Sequence, residues 1–253
     1  FVDSGLEKGL YGGVVWRFSI DAYASLFNPA FLKVTGMTFL LAAVSTALTI
    51  AFALPVAYYM ARSRYKNFLL FLVIIPFWTN FLIRIYAWIA ILGNNGFLNQ
   101  SLTGLGLINE PGHFLYNPFA VVTVMVYTYL PYAILPLYAA IEKFDFSLIE
   151  AGRDLGAGKF QALRKILLPN IKAGITAAVL FTFIPVLGNY AVPQLVGGKD
   201  SFMLGNIIAR ELTVTRNWPL ASSISVILTI ATTFGILLFM RLNRNTAEKL
   251  RPS

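Results

Sequence analysis

Cysteine is absent from the 253 residues, and histidine occurs once, at His113. The first absence excludes a disulfide framework, thiolate chemistry and any cysteine-based metal site. The second excludes a histidine cluster, so no metal is expected in this chain. Charge is scarce as well. Only 12% of residues are Asp, Glu, Lys or Arg, against roughly 25% in a soluble domain. Acids are the scarcer sign, with 11 against 20 bases. What the chain has in excess is apolar: 57% hydrophobic residues, 15% aromatic, and a mean hydropathy of +0.69. That composition excludes an ordinary water-soluble enzyme, and also a disordered chain, which needs low hydrophobicity. A net charge of +9 in a soluble protein would point to nucleic acid. In a membrane protein it records which loops face the cytoplasm, and no nucleic-acid partner is expected.

A helix needs about 20 mainly apolar residues to cross the hydrocarbon core. Five stretches meet that length: roughly 34–60, 68–92, 118–141, 171–192 and 221–240. Apart from Lys172 at the very start of the fourth, Arg84 is the one charge inside them. None alternates apolar with polar residues in the manner of a membrane β-barrel. Residues 1–33 carry charges and turn residues throughout, so no signal peptide is expected at Phe1. The result is an all-α, polytopic membrane helical bundle, read as one transmembrane domain over 1–253.

The charges then orient the spans. Segments 61–67, 142–172 and 241–253 hold 13 bases and 5 acids, a net +8. Segments 1–33, 93–117 and 193–220 hold 6 bases and 6 acids, a net zero, and Arg84 supplies the remaining +1. Basic loops face the cytoplasm. The first set is therefore expected inside, with the C-terminus. On the other side, 94–117 carries a short apolar pattern (Leu98, Leu102, Leu105, Leu107) suited to the bilayer surface. Gly197-Gly198 is expected to form a turn before a helical piece at Met203–Leu212.

The connection 142–170 is too long for a plain link in a compact bundle. Asp145 or Ser147 can cap a helix that places Glu150 near its first turn. Ile149, Leu155, Phe160, Leu163 and Ile166 follow as an apolar stripe broken by Gly156 and Gly158, and Pro169 limits the helix before the fourth span. Glu150-Ala151-Gly152, three residues, Gly156, nine residues, Ile166, one residue, Leu168-Pro169 resembles the EAA motif of bacterial ABC importer permeases. Gly152 in place of the second Ala is the only departure. In that family the loop is a coupling helix that docks in a cleft of a cytoplasmic ATPase, which assigns ATPase coupling to Glu150, Ala151, Gly152, Asp154, Leu155, Gly156, Ile166 and Pro169. Gly156-Ala157-Gly158-Lys159 resembles the end of a phosphate-binding loop, but Arg153 and Phe160 stand where Gly and Ser or Thr are required. No cofactor is expected in this chain; ATP and Mg belong to the partner ATPase.

Longer stretches resemble the permeases of spermidine/putrescine ABC importers: IIPFWTNFLIRIYAW (74–88), NNGFLNQ (94–100), YLPYAILPLYAAIEKFD (129–145), LVGGKD (195–200) and RNWPLA (216–221). The resemblance spans roughly residues 30–242 and implies the type I ABC importer fold. It implies six spans, so one is expected upstream of residue 1. It further implies a second, different permease subunit, two copies of the ATPase and a periplasmic polyamine-binding protein. The chain itself would be non-catalytic, and transport would proceed by alternating access in the bacterial inner membrane. No Asp or Glu lies inside a span, so a polycation must meet aromatic faces or acids of the partner. Candidates are Trp78, Tyr86, Trp88, Tyr127, Tyr129, Tyr132 and Tyr190, with Asn80 and Asn189 as neutral acceptors. Tyr127 and Tyr129 are two apart, so at most one of them lines the path. Gly188-Asn189-Tyr190 after Pro185 is the expected outer gate. Arg84 is expected to make a structural pair, carbonyl contacts or a snorkelling contact rather than to bind a cation. Two alternatives stay open. One is an EAA-loop importer of an anion or metal chelate. The other is a channel or secondary transporter, which would normally place ionisable groups within its spans.

Overall fold

The computed structural model describes the backbone of residues 2–248 and the side chains of 3–237 and 239–241. Lys249 and Arg251, counted among the bases above, lie outside the described residues. β1 (Leu6–Lys8) and β2 (Val14–Phe18) form an antiparallel hairpin, followed by α1 (Asp21–Ala24) and the long α2 (Pro29–Arg62). Next come α3 (Lys66–Trp78), α4 (Phe81–Leu92), α5 (Phe97–Gly104) and α6 (Pro118–Glu142). The basic connection holds α7 (Ser147–Asp154), α8 (Lys159–Ala162), a π-helical turn (Leu163–Leu167) and α9 (Leu168–Asn170). α10 (Lys172–Leu187), α11 (Ala191–Val196), α12 (Leu204–Thr213) and α13 (Trp218–Glu248) follow. Among the described residues, Pro29–Arg62, Phe81–Gly104, Pro118–Glu142 and Trp218–Arg241 are long and apolar enough to cross a membrane. Lys159–Asn170 with Lys172–Leu187, bent by 75°, adds a fifth candidate if the pair is one span.

The stretch 68–92 is not one helix. It breaks at Thr79–Asn80, and α3 alone has 13 residues, about 20 Å of helix against a core of about 30 Å. Pro76 removes an N–H from the α3 ladder, and both the N–H and hydroxyl of Thr79 donate to the Pro76 carbonyl (3.3 and 2.8 Å). Asn80 then restarts the helix as an N-cap, its Oδ1 accepting from the Leu82 N–H at 2.8 Å. Likewise the stretch 171–192 is helical only to Leu187, with Gly188–Tyr190 separating it from α11.

Contacts divide the chain into two units. One comprises residues 1–45, 80–125 and 184–239. Leu26, Leu204 and Ile224 form a small buried cluster there, flanked by Phe31, Val34, Ile207 and Leu228. Thr38, fully buried on α2, accepts from the Leu204 N–H at 2.9 Å and so satisfies a donor at the start of α12. The segment after α5 is pinned by Asn99: its Nδ2 donates to the carbonyls of Gly93 and Gly112, and its Oδ1 accepts from Gly112 N–H at 2.7 Å. Gly197-Gly198 is not a turn, since both residues are extended at negative φ. Glycine is there for closeness: a Cβ on Gly198 would overlap the Tyr116 carbonyl oxygen.

The second unit comprises residues 46–79, 126–183 and 240–253, and it holds the larger core. Ala53, Ala57 and Met60 of α2 pack with Ala133, Ile134, Leu137, Tyr138 and Ile141 of α6, and with Ile171 and Ala178. These positions recur at three- and four-residue spacing, one face of each helix. Lipid tails are as apolar as leucine, so such an interface is held by close packing rather than by escape from water. Small residues provide it. Gly174 on α10 is buried where a Cβ would overlap the Ala140 Cβ and lie 3.1 Å from the Pro136 carbonyl. At the basic end, Lys66 Nζ meets Glu142 Oε1 at 2.7 Å, a half-exposed tie between the start of α3 and the end of α6.

Candidate functional site: the coupling segment and the solute path

Ser147 opens α7 with Asp145 two residues upstream, whose Oδ1 accepts from the Ser147 N–H at 2.9 Å. Hydrogen bonds from the Ser147 hydroxyl and then from its N–H hold the Asp145 carboxyl below its usual range. The sign follows directly. A depressed carboxylate contributes its stabilisation above the unfolded value and loses it as pH falls through the folded one. The first turn of α7 should therefore loosen in acid. A spin label on Cys at position 154, unique in a cysteine-free chain, should gain mobility below about pH 4, and Asp145→Asn should remove that dependence.

Along α7 the two faces differ. Ile149 is buried and joins the core of the second unit with Ala162, Leu167 and Ile171. Glu150, Ala151, Asp154 and Leu155 point outward, Leu155 with 91% of its surface exposed. Among the described residues none of these acids makes an ion pair. Leu155 and Phe160 (77% exposed) thus leave the apolar stripe expected from the sequence. The helix ends at Asp154, two residues before the bend, so Leu155 turns away from the face that Ile149 occupies. Gly156 makes that bend at φ 89°, a left-handed conformation that costs a side-chain-bearing residue about 1–2 kcal/mol. The polypeptide then returns through α8, so that Ile166 meets Gly152: a Cβ built there would overlap Ile166 Cδ1. Two motif positions fourteen residues apart are therefore in contact. Because the obstructing atom is the tip of a flexible side chain, Gly152→Ala, which restores the motif's usual residue, should leave uptake within about twofold of normal. Gly152→Leu should not, since overpacking costs about 1–3 kcal/mol; uptake by cells carrying each variant measures both.

Pro169 does not end the helix before it; the helical path runs on to Asn170 and turns by 75° at Ile171. The π-helical turn over Leu163–Leu167 takes up the strain ahead of the proline, which has no N–H to donate. Ile171 N–H still reaches the Leu167 carbonyl at 3.1 Å, and Asn170 Nδ2 donates to the Ile166 carbonyl at 2.7 Å. Glu150, Arg153, Asp154, Gly156, Ala157, Gly158 and Lys159 together line a cleft of about 530 Å³. A load applied at this surface has a defined way in: through Ile149 and the Ile166–Gly152 contact to α2, α6 and α10.

The candidate path residues fall into both units. In the unit holding α4, Asn80 is the α4 N-cap, and Asn189, one residue ahead of the α11 N-cap Tyr190, accepts from Val192 N–H at 3.0 Å through its Oδ1. The acceptors expected for a solute thus hold backbone at two helix breaks. Tyr86 and Tyr190 are exposed and Trp88 is half-buried. Asn206, which sequence reading missed, binds the Tyr190 carbonyl and the Gln194 side chain, tying the 188–190 break to α12. Arg84 lies in the first turn of α4, its Nε buried without a hydrogen-bond partner and its guanidinium 5.9 Å from the Phe81 ring centre. Among the described residues the expected carbonyl or carboxylate contact is not made at Nε. In the other unit, Tyr129 is buried and Tyr127 exposed, as two-residue spacing on a helix demands. Tyr132 links Tyr129 (5.8 Å) to Phe77 (4.9 Å), and Trp78 stacks edge-on against Phe71. Among the described residues no cluster of three or more His, Asp or Glu could hold a metal.

Residues 49–252 match the family described as "Binding-protein-dependent transport system inner membrane component". The chain belongs to that family. This permease is 39% identical over 234 residues to the spermidine/putrescine transport system permease protein PotB of Haemophilus influenzae, covering 92% of the chain and 82% of the relative. It is 37% identical to PotB of Escherichia coli K12, over 92% of the chain and 86% of the relative. Identity to the inner membrane ABC transporter permease protein YdcU of the same organism is 33%, over 80% of the chain and 69% of the relative. Its fold is similar to that of a bacterial ABC transporter involved in alginate import (TM-score 0.72, 16% identity, 91% of this chain and 85% of that one). It is also similar to that of the MetNI methionine ABC transporter (TM-score 0.62, 20% identity, 87% and 96%). The all-α importer-permease fold and a place in the inner membrane follow from these findings.

Proposed function

We propose that the chain is the membrane permease subunit of an ATP-driven polyamine importer, coupled to a separate ATPase through residues 150–169. The identity of 37–39% to spermidine/putrescine permeases over 92% of the chain carries the choice of cargo. The outward face of α7, unpaired and mounted on a rigid core, supports the coupling role. The assembly contains this chain, a different permease, two ATPase subunits that bind ATP and Mg, and a periplasmic polyamine-binding protein. The chain carries no catalytic residue and keeps the basic loops and C-terminus in the cytoplasm. It crosses the membrane five times. Solute would pass the aromatic faces of Trp78, Tyr86, Trp88, Tyr132, Tyr190 and one of Tyr127 and Tyr129, with acids supplied by the partner permease. The test is co-purification of the complex and its ATPase rate in liposomes. Polyamine-loaded binding protein should raise the rate several-fold; an unchanged rate with polyamine and a raised one with an anion or metal chelate would overturn the cargo.

A further inference from the structure

Apart from the cleft lined by residues 150–159, the second unit has an apolar groove of about 510 Å³ lined by Leu54, Pro55 and Tyr58 of α2 and by Phe160, Leu163, Leu167 and Leu168. Arg164 is the one charged side chain in its lining. A second cation adjoins the groove through Tyr58: Arg62 Nη1 donates to the Tyr58 hydroxyl at 3.0 Å, its Cζ 5.8 Å from the Tyr58 ring and 5.3 Å from the Phe146 ring. Among the described residues neither arginine makes an ion pair. Toward the middle of α2, Leu48, Phe52 and Val56 continue an exposed apolar ridge at four-residue spacing. The arrangement is therefore an apolar slot beside α2, with Arg164 in its lining and Arg62 against the lining residue Tyr58.

We infer that this groove binds an anionic phospholipid of the adjoining leaflet, one acyl chain in the Leu54–Leu168 slot and the phosphate between Arg62 and Arg164. Apolar length and an anion are both needed, and a phospholipid carries the two in one molecule at the right separation. Planar guanidinium groups pair well with phosphate oxygens. Basic pockets beside membrane helices recognise lipid headgroups by the same chemistry. A free phosphate would leave the slot empty, and a neutral lipid would leave the charges unmatched.

The assembled transporter in nanodiscs, loaded with phosphatidylglycerol bearing a photoactivatable acyl chain, provides the test. Adducts should concentrate on peptides 54–58 and 160–168, and unlabelled phosphatidylglycerol should compete where phosphatidylcholine does not. The double variant Arg62→Gln/Arg164→Gln should lower groove labelling about 30-fold, while Arg62→Lys/Arg164→Lys keeps it within a few-fold. Leu163→Trp should block the slot with both cations in place, and labelling around Ile230 and Phe234 of α13 should stay constant throughout. Equal competition by phosphatidylcholine, or even labelling over all exposed helix faces, would overturn the inference. So would cross-linking of peptide 54–58 to another protein subunit.

Discussion

Glu150→Lys is expected to abolish ATP-driven uptake, by at least tenfold, while the chain accumulates in the membrane at its normal level. Glu150 is exposed and unpaired on α7, so reversing its charge removes nothing that holds this chain together. Under the proposed coupling role its consequence would fall on the docked ATPase, where loss of one partner of a desolvated charge pair would cost about 2–5 kcal/mol. Gly156→Asp should act similarly by another route. A side chain at φ 89° is strained, so the bend relaxes and α7 is presented at a different angle to the chain that follows. Membrane levels by immunoblot and uptake of labelled solute separate coupling from folding. Normal uptake by both variants would remove the coupling role from this segment.

Gly174→Leu should have an effect of similar size and opposite character, depleting folded protein itself. Gly174 is buried where a Cβ would overlap Ala140 and approach the Pro136 carbonyl. The obstruction is backbone and a Cβ, neither of which can swing aside, so α10 must move off α6. Overpacking of this kind costs about 1–3 kcal/mol in an interface that depends on closeness alone. The monodisperse fraction in size-exclusion chromatography should collapse. The exchange Gly174→Ala/Ala140→Gly should recover much of it, because it moves one methyl across the contact. Failure of that exchange with full tolerance of Gly174→Ala would mean the contact is not limiting.

Apolar length made α2, α6 and α13 legible, with α13 running to Glu248 rather than ending near 240, since composition decides which segments can face lipid. The helix α7 was legible from spacing: Asp145 and Ser147 at its start, Gly156 just beyond its end. The break at Thr79–Asn80 was hidden, because hydropathy averages over a window and cannot see one asparagine capping a helix inside an apolar run. Pro76 followed four residues later by Asn80 was the available signal. Asn189 illustrates the same point, for its type suited a solute contact, and its Oδ1 also accepts from Val192 N–H at the start of α11. The β1–β2 hairpin escaped notice because strands of three and five residues are too short for alternation to register. Leu155 was misplaced for want of knowing that α7 stops one residue earlier.

The most direct measurement is accumulation of radiolabelled spermidine in proteoliposomes holding the assembled transporter, with ATP supplied on the side of the ATPase and binding protein on the other. Accumulation should require both ATP and binding protein, and should vanish when the complex carries Glu150→Lys. Spermidine accumulation that persists without ATP, or that survives Glu150→Lys unchanged, would contradict an importer driven through the 150–169 segment.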